Sequence, residues 1–499
     1  MPIVTQATKF ARRTAIVDKS GEHNYQSLLD ASNNIASGLL NQTSDLNEQR
    51  VCLLTPGSFE YSATQWGIWR AGGIAVPLCT TYPLPEIEYI IHDSDAGTIV
   101  YDPSFRDFLN PLITQEKRRF TTTIDLLKSV PDSLPLVSEE RRAMILYTSG
   151  TTSKPKGVVS THSNISAQIS SLVEAWEWTQ QDYILNVLPL HHVHGIINVL
   201  SCALWSGAKC KMYPQFDPEV VWDTFLKEPL TLFMAVPTIY LSLISYWNRQ
   251  SNSEREKLSR ACQKFRLMVS GSAPLPVSVL KEWKEISGQV LLERYGMTEI
   301  GMGLSNPIHG ERKPGSVGLP MPTVQVKLVG ENGEVLEPNV GKPGEIYVKG
   351  PSVFTEYWQN QNLTEKSFAD GWFKTGDIAV QETDGYYRIF GRSSIDIIKT
   401  GGYKVSALEI EELLRTHPAV KECAVVGVED NYWGERVCAA LVLNQQVSAK
   451  ELSDWAKLKI AGYKVPKQIQ IMKELPRNAM GKVVKPELKK TFAANEPGK

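Results

Sequence analysis

The sequence lacks an excess of charge of either sign, a paired cysteine motif and a long apolar run free of polar residues. Its 53 Lys and Arg residues balance 54 Asp and Glu residues. The chain therefore has no excess positive charge that would attract nucleic acid or an anionic membrane. The seven scattered cysteines include no C-x-x-C pair, which argues against structural zinc and favours a reducing compartment. The most apolar long stretch, 184–205, contains His191, His192, His194 and Asn198. We therefore expect a buried core segment there, not a membrane span.

Neither end of the sequence carries a recognisable targeting signal. Residues 1–13 lack the apolar core of a secretory signal, and a single Arg pair is too little to indicate a transit peptide. Residues 493–499 contain no membrane anchor and no peroxisomal tripeptide. We expect a cytoplasmic protein with no nucleic-acid partner and no membrane span.

The length and the order of elements predict more than one structural unit. With 499 residues the chain exceeds what one hydrophobic core usually serves. Apolar spacing predicts alternating helices, as at 25–40, and short buried strands, as at 50–54, which is typical of an α/β layer architecture. From Val317 onward, short β-rich runs punctuated by Gly and Pro predict a smaller β unit, and a βα-type tail follows it. We predict a large N-terminal α/β domain at 1–391, with packed sheets and a β-rich subdomain, and a small α+β C-terminal domain at 392–499.

Residues 147–158 have the composition of a phosphate-binding loop. They read YTSGTTSKPKGV after a short apolar run, so a buried strand is expected to lead into the loop. Glycines let backbone N–H groups approach an anion, hydroxyls donate hydrogen bonds, and Lys156 can neutralise charge. The spacing of Gly150 and Gly157 excludes a Walker A motif. A solvent-exposed loop of the same composition is the alternative.

This loop resembles the phosphate loop of the acyl-adenylate-forming superfamily, which includes acyl-CoA synthetases, firefly luciferases and nonribosomal adenylation domains. The other motifs of the superfamily follow in order over nearly the whole chain. They are LPLHHVHG at 188–195, SGSAPL at 270–275, ERYGMTE at 293–299, WFKTGD at 372–377, GRSSIDIIKTGGYKV at 391–405 and PRNAMGK at 476–482. The resemblance implies a mobile C-terminal domain and an ATP-dependent acid:CoA ligase that works through an acyl-AMP intermediate.

The resemblance also implies which residues bind the nucleotide. An Asp in a turn can accept hydrogen bonds from both ribose hydroxyls, and the aromatic ring of the ERYGMTE motif is expected to stack on adenine. The implied ATP and AMP ligands are Thr148, Ser149, Gly150, Thr151, Thr152, Ser153, Lys154, Ser272, Ala273, Pro274, Tyr295, Gly296, Met297, Asp377 and Arg392.

Catalytic groups follow from the same resemblance. Glu299 supplies a hard oxygen ligand suited to Mg²⁺, with Thr151 as a second ligand. Thr298 is expected to contact the α-phosphate beside Lys156. Lys482 is expected to bridge the reacting carboxylate and the α-phosphate, where its charge stabilises the transition state. Residue type alone leaves alternatives without a catalytic role open. Glu299 could be a charge at a helix N-terminus, and Lys482 could be a solvated surface charge.

The thiol half of the reaction is expected to use the turn after the domain boundary. The resemblance places this turn beside the tunnel for the pantetheine arm of coenzyme A, and it implies a hinge within 393–396. The sequence has one residue more between Arg392 and the acidic position than the commoner family pattern, so the pivot residue stays open. The implied CoA ligands are Lys399, Thr400, Gly401, Gly402, Tyr403 and Lys404.

The acid substrate is indicated by Arg294 and the histidine cluster. A metal site at this cluster is disfavoured because no second set of ligands accompanies it. The resemblance places His192 at the gate of the acyl pocket, and His194 and Ser270 complete the implied lining. Arg294 precedes Tyr295 at the inner wall of that pocket, and a buried guanidinium requires an anion. Either the second carboxylate of a dicarboxylic acid or an internal partner such as Glu293 would satisfy it.

Three motifs together, LPLHHVHG, ERYGMTE and DIIKTGGYKVSALEIE, are similar to those of malonyl-CoA synthetases, including their mitochondrial branch. This similarity favours malonate or methylmalonate as the acid. The alternatives are a fatty- or aryl-acid ligase of the same superfamily, a stand-alone adenylation domain and a catalytically silent nucleotide-binding protein. Intact Lys156, Glu299, Asp377, Arg392 and Lys482 disfavour the silent protein.

Overall fold

A computed structural model describes residues 1–148, 155–338, 341–393, 395–430, 432–478 and 482–494. Within these ranges no helix is long and apolar enough to cross a membrane. All seven cysteines are free and buried.

Helices cover the faces of the sheets, and their ends follow local sequence signals. Asn24, for example, caps the second helix by accepting a hydrogen bond from the Ser27 N–H. The α-helices are α1 (Pro2–Thr8), α2 (Tyr25–Leu40), α3 (Phe59–Arg70), α4 (Leu84–Asp93), α5 (Arg106–Gln115), α6 (Thr123–Leu127), α7 (His162–Ala175), α8 (Cys202–Ser206), α9 (Pro218–Lys227), α10 (Pro237–Asn248), α11 (Asn252–Ala261), α12 (Val277–Ser287), α13 (Gln361–Ser367), α14 (Ala407–Arg415), α15 (Ala449–Lys457) and α16 (Lys485–Ala494). Short 3₁₀ helices lie at Pro103–Phe105 and Cys262–Lys264, and a π-helix spans His194–Ser201.

Within the described ranges, the strands form four sheets. In chain order they are β1 (Thr14–Asp18), β2 (Gly21–Asn24), β3 (Arg50–Leu54), β4 (Ile74–Pro77), β5 (Thr98–Tyr101), β6 (Arg119–Thr122), β7 (Arg142–Thr148), β8 (Lys156–Thr161), β9 (Tyr183–Asn186), β10 (Lys209–Met212), β11 (Leu232–Ala235), β12 (Leu267–Ser270), β13 (Leu292–Met297), β14 (Gly301–Ser305), β15 (Leu319–Pro320), β16 (Gln325–Val329), β17 (Gly344–Lys349), β18 (Glu356–Tyr357), β19 (Phe368–Ala369), β20 (Trp372–Gln381), β21 (Tyr387–Arg392), β22 (Ile397–Thr400), β23 (Tyr403–Ser406), β24 (Val420–Asp430), β25 (Gly434–Leu443) and β26 (Gln468–Ile471).

Two of the sheets are largely parallel and carry helices, as in α/β folds. One has the order β15-β14-β13-β12-β11-β9-β10-β1-β2, and the other has the order β18-β8-β7-β4-β3-β5-β6. β9, β11, β12 and β13 pair in parallel, so the segments that follow them emerge at one edge. Ligands in such sheets bind at the carboxyl ends of the strands. The motifs at 188–195, 270–275 and 293–299 all lie at that edge.

The other two sheets are smaller and mainly antiparallel. β16, β17, β19, β20 and β21 form the first, which is the β-rich unit expected after Val317. β22 to β26 form the second, within the C-terminal part of the chain. Two hydrophobic clusters, at 398–469 and 424–492, pack around this last sheet, separately from the main core.

The α/β fold class is confirmed, and many elements lie where apolar spacing predicts them. The helix expected at 25–40 is α2, and the strand expected at 50–54 is β3. The boundary between 391 and 392 stays a prediction. It coincides with the passage from β21, in the β-rich unit, to β22, in the C-terminal sheet.

Candidate active site

The phosphate-loop segment is only partly within the described residues. Thr148 ends β7, and Lys156 begins β8, which pairs with β7 as an antiparallel hairpin. The Thr148 hydroxyl is buried without a hydrogen-bond partner in the described part of the chain. The expectations for Ser149, Gly150, Thr151, Thr152, Ser153 and Lys154 lie outside the described residues.

Lys156 and Glu299 meet through a tyrosine that the sequence patterns do not single out. The Lys156 ammonium donates to the Tyr357 hydroxyl over 2.8 Å, and that hydroxyl donates to Glu299 Oε1 over 2.9 Å. Lys156 Nζ also lies 3.5 Å from Glu299 Oε1. Burial lowers the pKa of Lys156, and the charge of Glu299 partly offsets that effect. The site thus holds one cation and one buried carboxylate side by side.

The predicted ribose carboxylate, Asp377, has a partner on each of its oxygens. The Tyr295 hydroxyl donates to Asp377 Oδ2 over 2.6 Å, and Arg392 Nε donates to Oδ1 over 3.1 Å. Register produces the second contact, because Asp377 on β20 lies directly opposite Arg392 on β21. Burial raises the pKa of Asp377, and the Arg392 charge opposes that rise. Three predicted nucleotide ligands are thereby brought together.

Arg294 is buried beside the SGSAPL motif. Its Nη2 donates to the Ser272 hydroxyl over 3.2 Å, and the same hydroxyl lies 3.2 Å from His194 Nδ1. A Cβ at Gly271 would come within 2.7 Å of the guanidinium carbon, so glycine is needed there. Ser272 adopts φ 68°, a left-handed conformation that is uncommon for a non-glycine residue and tends to mark functional sites.

No carboxylate of the described residues forms an ion pair with Arg294. The side chain is 3% exposed, and its Nε has no hydrogen-bond partner there. Glu293, the internal partner considered above, instead accepts a hydrogen bond from the Leu275 N–H over 3.2 Å. Successive strand residues point to opposite faces, which separates the two side chains. Burial alone lowers the pKa of Arg294 to about 9, so the charge lacks compensation within the described chain.

His191 and His194 are buried and His192 is half-buried, which disfavours the charged form of all three. Burial lowers the pKa of His191 to about 4, and burial together with the Arg294 charge lowers the pKa of His194 well below its usual value. Burial, His191 and Lys482 lower the pKa of His192. Several buried polar atoms without a hydrogen-bond partner, among the described residues, belong to the three motifs that meet here: His191 Nε2, His192 Nε2, His194 Nε2, Ser270 Oγ and Arg294 Nε.

Asn198 is a second residue that pattern reasoning did not assign to the site. It is fully buried, and neither atom of its amide has a partner among the described residues. It lies four residues after His194 on the π-helix, a conformation that is frequent at functional sites. A polar residue within the apolar stretch 184–205 was the available signal.

Lys482 belongs to the C-terminal part of the chain, yet charged groups of the candidate site act on it. Desolvation lowers its pKa, the charges of Arg392 and Arg294 lower it further, and the charge of Asp377 raises it. Its ammonium is therefore near enough to these three residues to feel their charges.

The predicted CoA segment lies on the β22–β23 hairpin. Gly401 and Gly402 make its turn with φ of 56° and 80°, as only glycine does readily. The Gly401 N–H donates to the Trp433 carbonyl over 2.8 Å, and the Lys399 N–H donates to Glu435 Oε2 over 2.7 Å. Thr400 is buried, Tyr403 is exposed, and the side chain of Lys404 lies outside the described residues. The hairpin's hydrogen bonds within the described chain do not extend to Arg294 or Lys482.

Several known proteins are similar to this chain over almost its whole length. Family profiles described as AMP-binding enzyme and AMP-binding enzyme C-terminal domain match residues 3–358 and 409–482. The mitochondrial malonate–CoA ligase of Homo sapiens is 44% identical, over 98% of this chain and 92% of its own.

Solved structures agree with that similarity. ATP-bound MatB from Rhodopseudomonas palustris superposes with a TM-score of 0.89 at 32% identity, covering 98% of this chain and 99% of the other. O-succinylbenzoate CoA synthetase from Bacillus subtilis, in complex with ATP and magnesium ion, gives a TM-score of 0.85 at 29% identity, covering 98% and 99%.

Proposed function

Because the chain belongs to the AMP-binding enzyme family, we propose that it is an ATP-dependent malonate–CoA ligase. Malonate, ATP and CoA give malonyl-CoA, AMP and diphosphate through a malonyl-AMP intermediate. Methylmalonate is an alternative acid, because one methyl group changes binding by only about 1 to 3 kcal/mol. The human relative is named as a malonate–CoA ligase, which favours malonate.

The buried, unpaired Arg294 carries this proposal. A guanidinium 3% exposed and without an ionic partner in the described chain is costly unless a ligand supplies the anion. A dicarboxylic acid does so with its second carboxylate, while its first carboxylate remains free to react. Fatty and aryl monocarboxylates would leave the Arg294 charge without an anionic partner. Ser272, His194 and Asn198 offer hydrogen bonds around the same carboxylate.

The first half-reaction joins the acid to AMP. A malonate oxygen attacks the α-phosphorus of ATP, a new P–O bond forms, and the bond to diphosphate breaks. The charges of Arg294, Arg392 and Asp377 all act on Lys482, which supports a role for its ammonium in contacting both the reacting carboxylate and the α-phosphate. Lys156 provides a second positive charge on the phosphate side. Positive groups fixed before the reaction stabilise the charge that builds in the transition state.

The nucleotide ligands proposed here combine the contacts above with the resemblance. Asp377 and Arg392 hold the ribose, Tyr295 lies against the adenine, and the backbone of 272–274 and 296–297 lines the base pocket. The loop of 148–154 holds the phosphates with Thr298. The hydrogen bonds of Asp377 to Tyr295 and Arg392 preorganise the carboxylate before ATP binds.

Magnesium fits the proposed phosphate site. Glu299 is buried, and its carboxylate faces Lys156 and Tyr357, which provides a hard oxygen ligand of the kind Mg²⁺ prefers. Glu299 would hold the ion together with Thr151, and the ion would shield the charge of the triphosphate. Lys156 then shares the phosphate side of the site with the ion.

The second half-reaction transfers the acyl group to the thiol. The CoA sulfur attacks the malonyl carbonyl, a C–S bond forms, and the bond to AMP breaks. We assign the pantetheine path to Lys399, Thr400, Gly401, Gly402, Tyr403 and Lys404. We propose that the C-terminal domain at 392–499 rotates about 393–396 between the two half-reactions, which would bring this hairpin to the acyl-AMP; Ser394 lies outside the described residues.

The cellular location stays a prediction from sequence. The sequence prediction is a cytoplasmic protein, whereas the human relative is named mitochondrial. Imaging a tagged full-length protein in its own cells would decide between the two compartments.

An acid panel tests the proposed function. Purified protein is assayed for CoA- and ATP-dependent diphosphate release with malonate, methylmalonate, acetate, octanoate and benzoate. We expect the highest kcat/KM for malonate or methylmalonate, and malonyl-CoA identified by mass spectrometry. Preference for a monocarboxylate would refute the assignment.

A further inference from the structure

A glutamate of helix α14, in the C-terminal part, forms a hydrogen bond with helix α12 of the N-terminal part. Glu412 Oε1 accepts a hydrogen bond from the N–H of Val277, the first residue of α12, over 2.9 Å. The residue before that helix, Pro276, provides no side-chain cap. Free N–H groups at a helix start favour a carboxylate partner. Glu412 therefore caps a helix that lies 135 residues away in the chain.

The neighbouring glutamate ties the same helix to the segment that carries Lys482. Lys485 Nζ lies 2.7 Å from Glu411 Oε1 and 2.5 Å from Asp396 Oδ1. All three side chains are largely buried, with exposed fractions of 12%, 5% and 14% in that order. Separating buried charges is strongly unfavourable, so α14, the end of the hinge segment and the start of α16 are expected to move as one body.

The end of the hinge segment is itself tightly folded back. Asp396 Oδ2 accepts from the Arg392 N–H over 3.0 Å, and the Asp396 N–H donates to the Arg392 carbonyl over 2.8 Å. A Cβ at Gly391 would come within 2.3 Å of the Asp396 Cβ. Because Gly391 has φ 124°, this close approach requires glycine.

We propose that Glu412 is a positioning residue for the adenylation half-reaction. By holding α14 against α12, it fixes the rigid body that includes Lys485, and thereby places Lys482, three residues earlier, beside Arg392 and Arg294. The inference rests on the proposed function in that Lys482 is taken to act during adenylation. Rotation of the C-terminal domain for thiol transfer breaks the Glu412–Val277 hydrogen bond, so the contact favours only one of the two arrangements.

A purely local role for Glu412 is the competing explanation. Its Oε2 lies 3.8 Å from Arg415 Nη1 on the same helix, a weak surface pair. Removal of such a pair would affect both half-reactions alike, through stability. Removal of an inter-domain cap would affect adenylation alone, and the two half-reactions can be measured separately.

The first test compares half-reactions in Glu412→Ala and Glu412→Gln. Malonyl-AMP formation is followed as single-turnover diphosphate release without CoA, and thiol transfer is followed from supplied malonyl-AMP to CoA. Loss of one helix cap corresponds to about fivefold, so we expect Glu412→Ala to slow adenylation about fivefold with thiol transfer unchanged. Glu412→Gln keeps an acceptor oxygen and is expected to restore most of the rate. Equal slowing of both half-reactions, or no slowing of adenylation, would overturn the proposal.

Glu409→Ala is the matched control. Glu409 lies on the same helix, and its ion pair with Lys464, 2.6 Å long, stays within the C-terminal part. We expect this variant to leave the ratio of the two half-reactions unchanged. A change in the ratio as large as that of Glu412→Ala would attribute the effect to α14 generally and would contradict a specific role of Glu412.

A second test needs neither the acid substrate nor turnover. Spin labels are attached to cysteines introduced at the exposed positions Glu256 and Lys450, and pulsed electron paramagnetic resonance measures the distance between the two parts. Because the native cysteines are buried, the labels are expected to react with the introduced cysteines. With ATP present we expect one dominant distance in the parent, and a second population in Glu412→Ala. An identical distance distribution in the parent and in Glu412→Ala would refute the role of the Glu412–Val277 contact in holding the two parts together. If the parent protein failed to adenylate malonate, the proposed function would be refuted. The distance measurement would still show whether Glu412 holds the two parts in one arrangement.

Discussion

Tyr357 donates its hydroxyl hydrogen bond to Glu299 over 2.9 Å, across 58 positions of the chain. The same hydroxyl accepts from Lys156 over 2.8 Å, so it links the two groups that we assign to the phosphates and their metal ion. The pKa of Tyr357 is raised by burial and by the Glu299 charge. It therefore stays protonated and can keep donating to the carboxylate.

Replacement of this tyrosine should weaken catalysis without abolishing it. Tyr357→Phe removes one hydrogen bond to each neighbour, and each net hydrogen bond is worth about 0.5 to 1.5 kcal/mol. We expect kcat/KM for ATP to fall about fivefold to tenfold, with a higher Mg²⁺ requirement, as Glu299 loses its orientation. Steady-state kinetics at varied ATP and Mg²⁺ measure both effects. Tyr347→Phe, whose ring lies beside Lys327, is the control, and equal losses in both variants would contradict a site-specific role.

Arg294 should govern the use of the acid. Removal of one partner from a buried charge pair costs about 2 to 5 kcal/mol, so Arg294→Ala should lower kcat/KM for malonate by at least about thirtyfold. The KM for ATP should change little, because the hydrogen bonds of the proposed ribose ligand Asp377 do not involve Arg294. Steady-state kinetics at saturating ATP give the kcat/KM values for malonate and for acetate, and the ratio of these two values is compared between parent and variant. Unchanged malonate kinetics would remove Arg294 from the pocket.

Much of this site was predictable because its residues stand in contiguous motifs. Arg294, Glu299, Asp377 and Lys482 were assigned from their motifs, and the structure brings Asp377 against Arg392 through the β20–β21 register. Tyr357 was not predicted, since its contact depends on the pairing of β18 with the distant β8. No local pattern distinguishes such a tyrosine from one that merely packs in a core.

The inter-domain contacts were also beyond sequence reasoning. Glu411 and Glu412 look alike in a sequence, yet one binds Lys485 and the other binds the N–H of Val277. Which glutamate faces which partner depends on how α14 lies against α12. The alternation of helices and strands, by contrast, follows from apolar spacing within each segment, and for that reason the fold class was predicted correctly.

Lys482 should be required for only one half-reaction. Its electrostatic neighbours are Arg392, Arg294 and Asp377, which belong to the nucleotide and acid sites. Lys482→Ala is therefore expected to reduce malonyl-AMP formation by about 100-fold or more, as for loss of a transition-state contact, while supplied malonyl-AMP is still converted to malonyl-CoA. Rapid-quench experiments measure the rates of malonyl-AMP formation and of thiol transfer separately. An equal loss of rate in both half-reactions would contradict domain alternation.

Glu293 should make stability depend on pH. Burial, opposed by the Leu275 hydrogen bond and reinforced by the Glu412 charge, raises its pKa from 4.5 to about 8. Between these values the folded protein holds a proton that the unfolded chain has released, so the free energy of unfolding falls as pH rises through this window. The stabilising effect is complete below pH 4.5 and is lost as the pH reaches about 8.

The variant Glu293→Gln removes this titration but keeps an oxygen that accepts from the Leu275 N–H. From pH 5.5 to 8 the parent should lose about 3 kcal/mol more of its free energy of unfolding than the variant does, at about 1.4 kcal/mol per pH unit. Thermal and urea denaturation of both proteins across this range measure the difference. Because carboxylates such as Asp45 and Asp182 have lowered pKa values and act in the opposite sense at acid pH, the comparison starts above their range. Parallel pH profiles for parent and variant would mean that Glu293 is already ionised in the folded protein.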